Sequence, residues 1–346
     1  MEKIIIASLR KNAGKTSLVV GIAKAAKKRF AYFKPFGERM LYRKKRLWDY
    51  DSSLITGIFG LKDDPVDMSI GFDHSKLRYM YDEEGTRQKL HEIISRVGGQ
   101  PEILFIEGGR DLTYGISVNL DTVSLAKYTG GKLYLVVSGE SDVILDDLLF
   151  LKNHIRTEGV RVEGVIINKV QNLEEFKATH LPVIEKTGIR VLGIVPFRSE
   201  LTYFTVSYLA DHLFAKVLCG EGGLQHVVKN ILIGAWSANV FLQNPVFKKE
   251  NKLVITGGDR TDMILASLES DTSAIILTNN ILPPSNIISR ASEKNIPLLM
   301  VFSDTYQTAK QIENLEPLLT RDDQNKVDLL EEMVRSHVHV GEIVGG

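Results

Sequence analysis

Ile4-Ile5-Ile6-Ala7-Ser8-Leu9-Arg10-Lys11-Asn12-Ala13-Gly14-Lys15-Thr16-Ser17 reads as a buried strand, a tight loop and the first turn of an apolar-faced helix. A Gly-Lys-Thr at that junction is what phosphate binding requires. The free amides and the dipole of the helix N-terminus face the anion, a lysine reaches the outer phosphates, and a hydroxyl completes a Mg²⁺ shell. Residues Asn12, Ala13, Gly14, Lys15, Thr16 and Ser17 are therefore the expected nucleotide-binding segment, with Lys15 on the phosphates and Thr16 on the metal. The spacing G-x-x-x-x-G-K-[ST] is met except that Leu9 holds the place of the first glycine, so the loop is a variant. The competing reading is an ordinary strand-to-helix turn that happens to contain Gly-Lys-Thr.

Outward from this stretch, short β-branched runs alternate with amphipathic helical ones, the pattern of a parallel α/β sheet. Strands are expected at residues 3–7, 30–33, 103–106, 133–137, 162–167 and 191–194, with helices at 15–28 and 142–156. In the first of these helices Leu18, Val19, Ile22, Ala23 and Ala26 form the expected buried side. The pattern changes near residues 209–223 and then restarts, with strands at 253–256, 274–277 and 298–302 and helices at 262–268, 284–293 and 305–315. The expected fold is thus α/β: a doubly wound, mostly parallel sheet over residues 1–214, a smaller α/β domain over 215–325, and a C-terminal tail over 326–346, helical to Arg335.

Lys+Arg and Asp+Glu both number 43 among 346 residues, which argues against a whole-chain polycation for nucleic acid. One cysteine, Cys219, excludes an internal disulfide framework and fits a reducing compartment. No apolar run reaches the ~18 residues of a membrane span, and a strand starting at Lys3 leaves no room for a signal peptide. A cytoplasmic location without membrane association is expected.

Lys34-Pro35 follows the second strand, placing a second lysine where it could steady a transferred phosphoryl group. Glu107, at the tip of a buried strand and followed by Gly108-Gly109, and Asp51, in Asp49-Tyr50-Asp51-Ser52, are candidate Mg²⁺ ligands with Thr16. A helix cap is the alternative for Asp51, a cap or loop acid for Glu107. Lys15, Lys34 and Glu107 are the candidate catalytic residues. Asn168 ends another buried strand and is expected at the base edge, flanked by Pro196; Gln171 stands where a guanine-reading Asn-Lys-x-Asp needs an acid, which favours adenine and hence ATP. Arg39, Arg43, Lys44, Lys45 and Arg46 read as a solvated loop that could cover an anion. His337 and His339 would share one face of a strand, too few ligands for a metal. In the second half, Gly257-Gly258-Asp259-Arg260, Thr278-Asn279-Asn280 and Ser303-Asp304-Thr305 end successive strands and could line one pocket or serve only as caps.

Assembled in this order, Gly14-Lys15-Thr16, Lys34-Pro35, Asp51, Ile106-Glu107-Gly108-Gly109, Asn168 and Leu192-Gly193-Ile194-Val195-Pro196 resemble dethiobiotin synthetase and its relatives among the P-loop ATPases. The second half resembles a DRTGG domain through Thr256-Gly257-Gly258-Asp259-Arg260-Thr261-Asp262 and Ile276-Leu277-Thr278. Together they are similar to the N-terminal region of long bacterial phosphate acetyltransferases, whose acetyl-transferring domain lies beyond the DRTGG domain, so acetyl transfer is not expected of these residues. Ser8, Leu9, Lys11 and Asn12 replace the Gly, Thr, Thr and Glu of the dethiobiotin synthetase loop, which removes the substrate-defining acid and hydroxyl. The resemblance implies an ATP- and Mg²⁺-binding regulatory protein whose DRTGG domain takes a second small ligand or mediates dimerisation. An ATP-dependent ligase acting on a carboxylate or carbamate, and an adaptor with a decayed loop, remain open beside it.

Overall fold

Ile4, Ile5 and Ile6 are fully buried because their strand, Glu2–Ser8, has a partner on each side and helices on both faces. The computed structural model describes all residues except 44–45, 155–158, 235–242, 244 and 346. Glu2–Ser8 pairs in parallel with Ile103–Glu107 and with Lys132–Ser138. The six-stranded sheet runs Phe30–Phe33, Ile103–Glu107, Glu2–Ser8, Lys132–Ser138, Val162–Val170, Val191–Pro196, all parallel. The chain leaves Glu2–Ser8 toward one edge and Lys132–Ser138 toward the other. Such a reversal opens a crevice beyond the carboxyl ends of the central strands, and the Gly14-Lys15-Thr16 loop lies there.

The helix after the loop spans Lys15–Ala26 and buries Leu18, Val19, Ile22 and Ala23 as expected, while Ala26 is only half-buried. Val20 is buried as well, and so is Gly21, which lies outside the expected buried side. The reason is helix Gln324–His337, which packs on it so closely that a methyl on Gly21 would lie 2.5 Å from Val334 Cγ2 and 2.8 Å from Leu330 O. Beyond that helix Val338 bridges Gly193 antiparallel, His339 N donates to Leu192 O at 2.8 Å, and helix Val340–Val344 buries Ile343 and Val344. The expected tail is therefore part of the first unit's core. His337 ends a helix and does not share a strand with His339, and no group of three or more His, Cys, Asp or Glu that could hold a metal occurs among the described residues.

Compact grouping gives one unit of Met1–Arg198 with Leu319–Gly346 and another of Ser199–Leu318. This moves the expected boundaries at 214/215 and 325/326. Helix Val206–His212 falls in the second unit because Val206, Leu209 and Ala210 pack against Leu253, Ile255, Ala274 and Ile276. That unit has a five-stranded sheet ordered Lys216–Cys219, Leu298–Met300, Thr272–Thr278, Lys252–Gly257, Asn230–Ile233, antiparallel only at the first pair. Its faces separate by alternation: Ala274 and Ile276 face one apolar cluster, Ile275 and Leu277 the other. The third expected strand stops at Met300, and Phe302 is 81% exposed.

Candidate functional site

Gly14 caps the Lys15–Ala26 helix at φ 91°, with no side-chain cap and no acid in the first turn. A side chain there would be strained, and its Cβ would stand 2.4 Å from Asn168 Nδ2. The helix N-terminus thus keeps its amides and dipole for an anion. Lys15 Nζ donates to Ser8 Oγ at 2.9 Å and to Arg110 O at 3.4 Å. Thr16 Oγ1 donates to Glu107 Oε1 at 3.0 Å, which joins the loop helix to the tip of the neighbouring strand. Asn12 sits at φ 59° on the loop, and Ala13 is buried.

Beside this loop lies a buried charge cluster. Lys34 Nζ is ion-paired with Asp51 and lies 3.3 Å from Glu107 Oε1 and 3.9 Å from Glu38 Oε1. Asp49 caps helix Tyr50–Phe59 by accepting from Ser52 N at 3.1 Å, so the capping alternative belongs to Asp49. Asp51, in the first turn, is left to meet Lys34 and Arg39, the latter at 3.6 Å. Tyr32 Oη donates to Glu107 Oε2 at 2.9 Å, fixing the carboxylate from the other side.

Burial alone would pull the Lys34 pKa down; Asp51, Glu107, Asp49 and Glu38 outweigh it and hold it well above the ordinary lysine value. Burial lowers the Lys15 pKa, with Glu107 opposing. Burial would raise Asp51, but Lys34 and Arg39 bring it below the ordinary carboxylate. Burial raises Glu38 and lifts Asp49 to about 6. The cluster therefore holds cations and carboxylates at close quarters, where each ion pair depends on the next.

Thr16, Glu107 and Asp51 are the hard oxygen donors Mg²⁺ prefers, and one hydroxyl and one or two carboxylates leave the rest of its shell to phosphate oxygens. Lys34 stands between Asp51 and Glu107, so Thr16 and Glu107 form the nearer pair. Asn168 was expected at the base edge; the structure places its amide on the loop, Nδ2 donating to Ala13 O at 2.9 Å. Pro196 ends the edge strand, separated from Glu2–Ser8 by two intervening strands, on the same rim. Arg39 reaches Asn12 Oδ1 at 3.4 Å; Met40–Arg43 and Arg46–Asp49 form a hairpin, and Lys44 and Lys45 lie outside the described residues.

Sequence reasoning missed Ser8, Tyr32, Glu38 and Asp49. A signal existed for Tyr32: a tyrosine in an otherwise apolar buried strand must find a partner for its hydroxyl. In the second unit the three polar strand ends do meet at one rim, joined by Thr278 Oγ1 and Thr305 Oγ1 at 3.0 Å and by Asn279 N to Ser303 O at 3.0 Å. Asp304 serves as a cap, accepting from Gln307 N at 2.8 Å.

A doubly wound parallel sheet with a Gly-Lys-Thr loop at its switch point defines the P-loop class of α/β domains. The chain belongs to the AAA domain family, whose model matches residues 2–204, and residues 208–315 match the DRTGG domain. The phosphate acetyltransferase of Pseudomonas putida is 26% identical over 98% of this chain and 51% of its own length, so the chain spans about half of that relative. The cobyrinate a,c-diamide synthase of Listeria innocua is 29% identical over 57% of this chain and 40% of its own length. Among solved structures, the CBS and DRTGG domains of the regulatory region of Clostridium perfringens pyrophosphatase, complexed with the activator diadenosine tetraphosphate, align at TM-score 0.28 and 15% identity, covering 52% of this chain and 91% of that one. The expected pairing of a P-loop domain with a DRTGG domain is met. No helix among the described residues is long and apolar enough to cross a membrane.

Proposed function

We propose that this chain is a nucleotide-responsive regulatory protein: ATP with Mg²⁺ binds the first unit, and the DRTGG unit takes a second small ligand or pairs two copies. The observation that carries the reading is the meeting of Lys15, Thr16 and Glu107 at the uncapped N-terminus of Lys15–Ala26. Lys15 would neutralise the outer phosphates, and the loop amides would orient them. Thr16 and Glu107 would hold the ion, which when bound screens phosphate charge. A regulatory rather than a transferase reading is supported by the P-loop and DRTGG matches of this chain, which aligns with only about half of the acetyltransferase's length.

Calorimetric titration with ATP, ADP, AMP and GTP, with and without Mg²⁺, tests this. The reading expects Mg²⁺-dependent ATP binding, preferred over GTP, that is lost or weakened in Thr16→Ala. Equal binding with and without Mg²⁺, or in Thr16→Ala, contradicts it.

One observation favours a second reading, an ATP-dependent ligase: the Lys34 ammonium is buried against Asp51 and Glu107 beside the loop, a cation of the kind that stabilises a transferred phosphoryl group. ATP turnover on adding small carboxylic acids or amines, abolished in Lys34→Ala while nucleotide binding persists, would establish it.

A further inference from the structure

We infer that residues 319–337 are a relay for the nucleotide site. The chain that re-enters the first unit at Leu319 docks on both helices whose first turns build that site. Phosphate and Mg²⁺ bound there bias the docking of this segment, and by reciprocity the docking biases their affinity. The inference rests on the nucleotide-binding reading above and adds how occupancy is passed along the chain. One of the two helices, Lys15–Ala26, carries Lys15 and Thr16; the other, Tyr50–Phe59, carries Asp51.

Tyr50 Oη donates to Leu319 O at 2.9 Å, and Tyr50 is the chain neighbour of Asp51, whose carboxylate meets Lys34 in the charge cluster. About two turns along the same helix, a methyl on Gly57 would stand 3.3 Å from Arg321 Cβ. Helix Gln324–His337 then packs on Lys15–Ala26, where Gly21 leaves room for Val334 and for Leu330 O. Leu330 O is a backbone atom, so this contact has no rotamer with which to absorb a shift of the loop helix. Close-packed elements pass such a displacement on. Between the two grips lies the soft part. Residues 315–323 hold no helix or strand, and Leu319 is anchored by its buried side chain and by the Tyr50 hydroxyl. A segment without regular structure belongs to the low-stability end of a fold, where a modest differential interaction shifts the balance between docked and undocked states.

The test combines amide hydrogen exchange of the full chain, with and without Mg²⁺ and ATP, with ATP affinity in wild type, Tyr50→Phe and Leu319→Ala. Tyr50→Phe removes one hydroxyl and keeps the ring, while Leu319→Ala alters the segment and no group of the site. A ligand-free melting transition in each variant shows that it is folded. The relay predicts that ATP raises protection across residues 319–337 of wild type by more than in helix Glu83–Arg96, which carries no site residue. Both variants should bind ATP more weakly, by up to about fivefold for the one hydrogen bond lost in Tyr50→Phe, and should show a smaller gain in protection. An equal gain in the two regions is what global stabilisation by a ligand gives, and it would overturn the inference. Wild-type affinity in both variants would overturn it too, with the nucleotide reading left standing. Weaker binding in Tyr50→Phe alone would mark a local effect on Asp51 and likewise overturn it. If wild type itself does not bind ATP, the nucleotide reading fails and the relay fails with it.

Discussion

Lys34 is the residue on which the site's electrostatics turn. It is 3% exposed, between Asp51 and Glu107, and removing it leaves two buried carboxylates without their cation. Lys34→Met should destabilise the chain by about 3–5 kcal/mol near neutral pH, with the deficit shrinking in acid as the carboxylates take up protons; urea unfolding at two pH values checks both. Asp49 carries the opposite dependence. Its native pKa is lifted from 3.8 to about 6, so between those values the native state binds more protons than the unfolded chain, and stability falls as pH rises through that window. The difference in unfolding free energy, Asp49→Asn minus wild type, should therefore rise from about pH 4 to about pH 7; a flat difference contradicts the assignment. At this scale the chain was partly legible. Gly14, Lys15, Thr16, Lys34, Asp51 and Glu107 stand out because strand ends and a helix start must place them on one rim. Glu38 and Asp49 do not, because an acid's role there depends on which way a turn directs it, and the loop contact of Asn168 was not legible because its residue type suits a base and a loop carbonyl equally.

At the scale of elements, the run of isoleucines and the alternation that follows make a parallel sheet readable, and every expected strand of the first sheet is present. The back of the Lys15–Ala26 helix was not readable. Gly21 is packed against Leu330 and Val334, more than 300 residues away, and no local periodicity reports such a contact. Gly21→Ala is the test of that packing. Alanine in a helix interior gains about 1 kcal/mol over glycine. Here its methyl would press on Leu330 O, a backbone atom, at 2.8 Å, and overpacking of about 1–3 kcal/mol should win. Chemical denaturation should show a net loss of stability; a gain would mean that the helix pair yields without strain. The edge strands Lys216–Cys219 and Asn230–Ile233 were missed for a different reason, since each is a short run with only three apolar residues, Val217 to Cys219 and Ile231 to Ile233, too few to show a period.

At the scale of the molecule, the chain leaves the first unit after Arg198 and returns to it at Leu319, so the second unit is inserted into the first in sequence. The returning segment buries Val327, Leu330, Val334, Val338 and Ile343. Removing residues 319–346 should lower hydrogen-exchange protection in Lys15–Ala26 while Lys252–Gly257 and Thr272–Thr278 keep theirs. Uniform loss across both units would contradict the division. A regulatory protein of this build also requires that its ligands favour one state of the chain over another, a coupling that two-ligand titrations measure directly. The central claim, that the variant loop binds nucleotide, is tested most directly by melting wild type and Lys15→Ala with Mg²⁺ and ATP, ADP, AMP or GTP. ATP at 100 times its Kd should stabilise wild type by about 2.7 kcal/mol, with the rise in melting temperature absent in Lys15→Ala. No shift with any nucleotide, or an equal shift in Lys15→Ala, would contradict it.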